Sequence, residues 1–121
     1  MNKITTRTGR EFKAANYLGQ SLAIVPKEYR PSIPFTTPEG EKKVSPAYKA
    51  DVVVMSGADE GSYFEDVLLF QKALIAQIER QNGDVVIGTL TRVATFQGDN
   101  SYYYMEDPTT AEIRLASKYG V

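Results

Sequence analysis

Cysteine and histidine are both absent from the 121-residue chain. Without cysteine there is no disulfide framework and no thiolate nucleophile. Without histidine the chain lacks the side chain most often used for proton transfer near neutral pH, which is also the commonest metal ligand. Zinc enzymes, Ser-His-Asp hydrolases and Cys-His nucleophiles therefore drop out by inventory. The phosphate-cradling patterns GxGxxG and GxxxxGK[ST] do not occur either, so nucleotide hydrolysis has no support. No apolar run approaches the roughly 20 residues that span a bilayer. The N-terminal MNKITTRTGREFK has no hydrophobic region of the secretory kind. What remains for catalysis is carboxylate and lysine chemistry; Glu65-Asp66 and Glu106-Asp107 with Asp51 could gather around magnesium, but neighbours on a strand point to opposite faces, so only one of each pair could reach a common site. The expectation is a cytoplasmic protein that is not an enzyme, holds no metal or cofactor, takes no small-molecule substrate and does not enter a membrane.

What is present is unevenly distributed. The formal net charge is only −1, yet residues 1–50 carry nine Lys/Arg against four Asp/Glu, and residues 51–121 carry five against eleven. A basic half can meet a polyanion; equally, the two halves can neutralise each other across their contact. Five of the six prolines fall between Pro26 and Pro46. Proline cannot donate to a sheet ladder, so this stretch predicts interrupted pairing, with Pro38-Glu39-Gly40 at the tip of a loose hairpin.

Periodicity divides the rest. Residues 1–19 are polar, basic and show little periodicity, which predicts a mobile N-terminal arm with at most a short helix from Glu11 to Leu18. SLAIVP alternates and stops at proline, as a first strand would, and YKADVVVMSG and SYFEDVLLF follow as the second and third. In QKALIAQIERQNG the period lengthens: Leu74, Ile75 and Ile78 share a helical face, and Asn82-Gly83 supplies the stop. DVVIGTLTRVATFQG reads as a fourth strand bending at Gly88, and SYYYMED as a fifth. A short closing helix covers AEIRLASKY, capped by Asp107 with Pro108 or by a Thr109/Glu112 box.

Three strands, a helix and two strands match the order of a five-stranded OB-like barrel with a helix between strands 3 and 4. The expected organisation is a mainly β chain: a basic arm over 1–19, the barrel over 20–109, and a C-terminal helix over 110–121 packed on it. In that architecture the connections between strands 1 and 2 and between strands 4 and 5 flank the binding face. Here they are the proline-rich basic loop and the segment leading into three consecutive tyrosines.

VVVMSGADEGSYFEDVLLFQKALIAQIERQNGDVVIGTL followed by YYYMEDPTTAEIRLA resembles small proteins of actinobacterial phages and their hosts. Those share an "aDVvvldG" strand, a "yEDvlvFq" strand, a "vlGrl" strand and an "EDPT" ending. The resemblance covers roughly residues 20–118 and implies an OB-like fold that binds single-stranded DNA, in the host cytoplasm if phage-encoded. The pattern departs after Thr91, where the relatives' tryptophan has no counterpart unless Tyr103 replaces it.

Sequence-tolerant binding of single strands needs cations along a groove and flat side chains on which bases stack. The residues expected to stack are Tyr29, Phe35, Tyr48, Phe96 and Tyr103. Those expected to meet phosphate are Arg30, Lys42, Lys43, Lys49 and Arg92. Phe64 and Phe70 are assigned to the core. The alternative for each ring is packing against the barrel, and for each cation a solvated surface position. At the level of function the alternative is a protein–protein interaction module on the same barrel. SLAIVP is the edge strand expected to mediate any homo-oligomer.

Overall fold

The structure, a computed structural model, describes residues 5–94 and 101–121. In chain order the elements are β1 (Thr5–Thr8), two short 3-10 turns (Gly9–Glu11 and Ala14–Tyr17), β2 (Ser21–Thr36), β3 (Lys42–Val54), β4 (Ser62–Leu69), α1 (Lys72–Arg80), β5 (Val86–Ala94), β6 (Ser101–Met105) and α2 (Thr110–Lys118). The strands form one six-stranded sheet in the order β1-β4-β3-β2-β5-β6. All neighbours are antiparallel except β1 and β4.

Alternation along the strands gives the sheet two apolar faces. Leu22 and Ile24 of β2, with Ala50, Val52 and Val54 of β3, meet Leu74 and Ile78 of α1 in the larger cluster. The intervening Ala23, Val53 and Met55 pack on the other face against Ala116 and Tyr119 of the C-terminal helix. The sheet is thus covered by α1 on one side and by α2 on the other.

Three expectations are corrected. The sheet has six strands and, among the described residues, is not closed into a barrel; β1 and β6 are its edges. The N-terminal residues are not merely an arm. Thr5–Thr8 pair with β4, and Ala14 and Tyr17 are buried, Tyr17 against Phe12 and Phe64 with ring centroids 5.4 and 5.8 Å apart. A side chain on Gly9 would collide with the backbone of Glu65 and Asp66, so only glycine lets this segment lie on β4. Finally, SLAIVP is no edge: Ser21–Ile24 pair with β5 on one side, and Leu22–Pro26 pair with β3 on the other.

The proline-rich stretch pairs more fully than expected. β2 and β3 continue past the sheet as a two-stranded ribbon, with register shifts between Pro26 and Glu28 and between Arg30 and Ile33. Each strand of such a ribbon has a free side, where a missing N–H costs nothing, and bulges absorb the rest. The tip falls at Pro38-Glu39-Gly40, where Gly40 has φ +88° and its N–H donates to Thr37 at 2.9 Å.

Two contacts show why the far side of the sheet stops where it does. The buried Gln77 amide of α1 donates to the Met105 carbonyl at 2.7 Å and accepts from the Met105 N–H at 2.8 Å. A side chain thus stands in for the next strand beside β6. At α2 the capping box is the one that forms: Thr109 Oγ1 accepts from the Glu112 N–H, and Glu112 accepts from the Thr109 N–H. Glu112 also accepts from Ser21 Oγ at 2.7 Å and Thr89 Oγ1 at 2.9 Å, tying the helix to the sheet.

Candidate nucleic-acid interface

Register decides which of the expected residues can act together. Ser21 faces Thr89, and the two strands run in opposite directions. The ribbon therefore projects from one end of β2, and the β5–β6 hairpin from the other. At about 3.3 Å per residue, Phe35 lies on the order of 40 Å along β2 from Ser21. The expectation that both pieces flank one face side by side is corrected by this antiparallel register. Phe96 lies outside the described residues.

The ribbon rings are themselves split between faces. Tyr29 pairs with Tyr48 across the ladder, their ring centroids 5.9 Å apart. Tyr48 packs against the α1-side core, so this couple belongs to the inner face. Phe35 pairs with Lys43, two steps beyond the Ser45 that faces Ile33, and so lies on the outer, α2-side face. There it meets Phe70: Phe35, Ser45 and Phe70 line an open hollow of about 320 Å³. Phe35 is 41% exposed and Phe70 40%, so Phe70 is not the core residue the sequence predicts. Phe64 is, at 0% exposure.

The reason is a bulge. Val52 faces Phe64 and Ala50 faces Val67, so Glu65 and Asp66 together occupy the place opposite Asp51. The extra residue inverts the alternation downstream: Val67 and Leu69 are buried, Leu68 exposed. Asp66 sits at φ 58°, a left-handed conformation that Asp tolerates better than most residues. Two consecutive acids inside SYFEDVLLF are the signal for this break, because strict alternation would bury one of them.

Four cations stand on or beside the outer face. Lys43 is the cross-strand partner of Phe35, and Lys49 of Leu68. Arg30 lies opposite the buried Ala47, and Lys42 is at the ribbon tip opposite Thr36. Three of the four have a carboxylate partner: Lys43 with Glu41 at 3.6 Å, Arg30 with Glu28 at 3.1 Å and Lys49 with Asp66 at 3.8 Å. Exposed pairs of this kind contribute no more than about 1 kcal/mol, so a phosphate can replace the carboxylate at small cost. Lys27 is different. Its ammonium lies between Asp51 and Asp66, at 3.0 and 2.9 Å.

At the other end of the sheet, Arg92 pairs with Tyr103 and lies 5.9 Å from its ring centroid, while its Nε donates to Ser101 Oγ at 2.6 Å. Tyr103 is half-buried on the core with Met105 beyond it, and Tyr102 is the exposed ring of the run at 41%. Of the three tyrosines, then, the middle one seals the core and the outer two face away.

No family model, curated protein or solved structure matches the chain. No helix among the described residues is long and apolar enough to cross a membrane.

Proposed function

We propose that the protein binds single-stranded DNA without catalysis, on the outer face of β3 and β4. The observation that carries the reading is the Phe35–Phe70 hollow with Lys43 and Lys49 beside it. Two rings, one on β2 and one just past the end of β4, offer an unpaired base a flat apolar surface, and each stacked base is worth about 1–3 kcal/mol. The neighbouring cations supply the salt-dependent phosphate contribution. The accompanying fold reading is an OB-like barrel opened along one seam. In it β2, β3 and β4 are the first three strands, α1 follows, and β5 returns to pair with β2. OB folds bind oligonucleotides on the face of strands 2 and 3, which correspond to β3 and β4. The resemblance to phage proteins supports the same reading, and the role we propose is in phage replication or recombination.

A second reading, a protein–protein interaction module, is favoured by one observation. Val44 on the opposite ribbon face is 65% exposed, beyond any use in stacking at the hollow.

Titration with oligo-dT at several salt concentrations separates the two. The DNA reading expects fluorescence anisotropy of labelled oligo-dT to report binding that weakens steeply as salt rises. It also expects a loss of about fivefold or more in Phe35→Ala and in Phe70→Ala, from the stacking energy above. Absence of binding at low salt to both single- and double-stranded oligonucleotides sinks it and leaves the interaction module.

A further inference from the structure

Two register shifts lie on neighbouring strands, and one ion cluster joins them. In β2 the pairing with β3 steps from Pro26 to Glu28, leaving Lys27 as the extra residue. In β4 the extra residue lies at Glu65–Asp66. Between them is Asp51, only 5% exposed. One of its carboxylate oxygens accepts from the Asp66 N–H at 3.0 Å and lies 3.0 Å from the Lys27 ammonium; the other accepts from the Tyr63 hydroxyl at 2.7 Å. Lys27 also donates to Asp66 at 2.9 Å. The bulged backbone amide, which has lost its ladder partner, is thus satisfied by a side chain on the strand opposite.

The consequence reaches Phe70. Had β4 continued without a break from buried Phe64, then Asp66, Leu68 and Phe70 would point inward and Val67 and Leu69 outward. A one-residue slip exchanges the faces of every later side chain. The bulge keeps Phe70 outside, within reach of Phe35.

We propose that Asp51 is a positioning residue for the binding face: by holding Lys27 and the Asp66 amide it fixes both bulges and so sets Phe70 beside Phe35. Its purpose rests on the DNA-binding reading, but its test does not. The chain has no cysteine, so a single thiol introduced by Leu69→Cys or Phe70→Cys reports one position cleanly. In the otherwise unaltered protein, a maleimide dye should label position 70 at least tenfold faster than position 69. In Asp51→Ala the ratio of the two rates should fall at least fivefold, with position 69 speeding up and position 70 slowing. General loosening would speed both, so a parallel rise, or an unchanged ratio, overturns the proposal. If circular dichroism shows Asp51→Ala unfolded, Asp51→Asn takes its place. It keeps an oxygen for the Asp66 amide but not the charge that holds Lys27, so for this variant the threshold is a twofold fall in the ratio, and anything less overturns the proposal. Binding of labelled oligo-dT by the protein with Phe70 and Asp51 intact is measured separately by fluorescence anisotropy at low salt. Binding supports the DNA-binding reading. Its absence sinks that reading, while the role of Asp51 stands or falls on the rate ratio alone.

Discussion

Asp51 is held ionised against its surroundings. Burial, the largest influence, pushes its pKa up, but donation from the Asp66 amide, the Tyr63 hydroxyl and Lys27 outweighs burial and leaves it below the ordinary aspartate value. The groups facing it are Lys27 from β2, its own strand's Lys49 through Asp66, and Tyr63 and Asp66 from β4. A carboxylate whose folded pKa is depressed contributes stability above its unfolded pKa and loses it as pH falls through the folded value. Thermal melts should therefore show a falling Tm below about pH 4, and Asp51→Asn should flatten that limb. Tyr63 shows the reverse. Burial first, then its bond to Asp51, pushes its pKa up to about 12, so it should be among the last tyrosines to ionise in an absorbance titration. Gly88 sets a steric limit rather than an electrostatic one. A Cβ there would run into the Glu106 carbonyl, and Gly88→Ala should cost about 1–3 kcal/mol in urea unfolding. The sequence marks Gly88 as special but reads it as a bend; the close approach of a later backbone segment is a long-range fact that local pattern does not carry. Phe70 misleads for a related reason. Its even spacing from Phe64 predicts a shared face, and only the bulge at Glu65–Asp66 reverses it.

At the scale of elements, the strands and helices of the central part are legible because their periods are clean. β4, α1 and β5 fall close to where alternation and the 3.6-residue stripe put them. What escapes is pairing that needs a partner far along the chain. β1 lies in a polar segment with no apolar alternation, and its four exposed residues acquire strand geometry from the edge of β4. The ribbon escapes because five prolines argue against it locally, and the bulges that admit them show only in the register. The Gln77 amide beside β6 is a further device that sequence hides, since a polar residue in an apolar stripe reads as an exception. Gln77→Leu should leave both Met105 backbone groups without partners, at about 1–3 kcal/mol for each. Hydrogen exchange at the Met105 amide should accelerate more than that of its neighbours in β5. Were the exchange unchanged, the amide would have to be protected by something other than this side chain.

At the scale of the molecule, the two hairpins extend from opposite ends of β2, and this divides the residues singled out from sequence into two groups. Phe35, Lys42 and Lys43 stand on the ribbon, with Arg30 and Lys49 nearer the sheet. Arg92 and Tyr103 belong to the other end. A ligand held by Phe35 and Phe70 need not reach Arg92. Affinity for oligo-dT should therefore fall more in Lys42→Glu/Lys43→Glu than in Arg92→Glu, and a series of increasing oligonucleotide lengths should level off early. Equal losses in the two variants would mean that one strand of DNA spans the whole length of the sheet. The uneven distribution of charge was visible from the start, but not that carboxylates from the same ribbon pair with its cations. Because Glu65 and Asp66 share a single outward place in β4, the chain should tolerate shortening unevenly there. Omitting either acid leaves every following residue turned as it was, whereas omitting one between Val67 and Leu69 would swing the aromatic into the interior, an asymmetry by which related chains of differing length could be sorted.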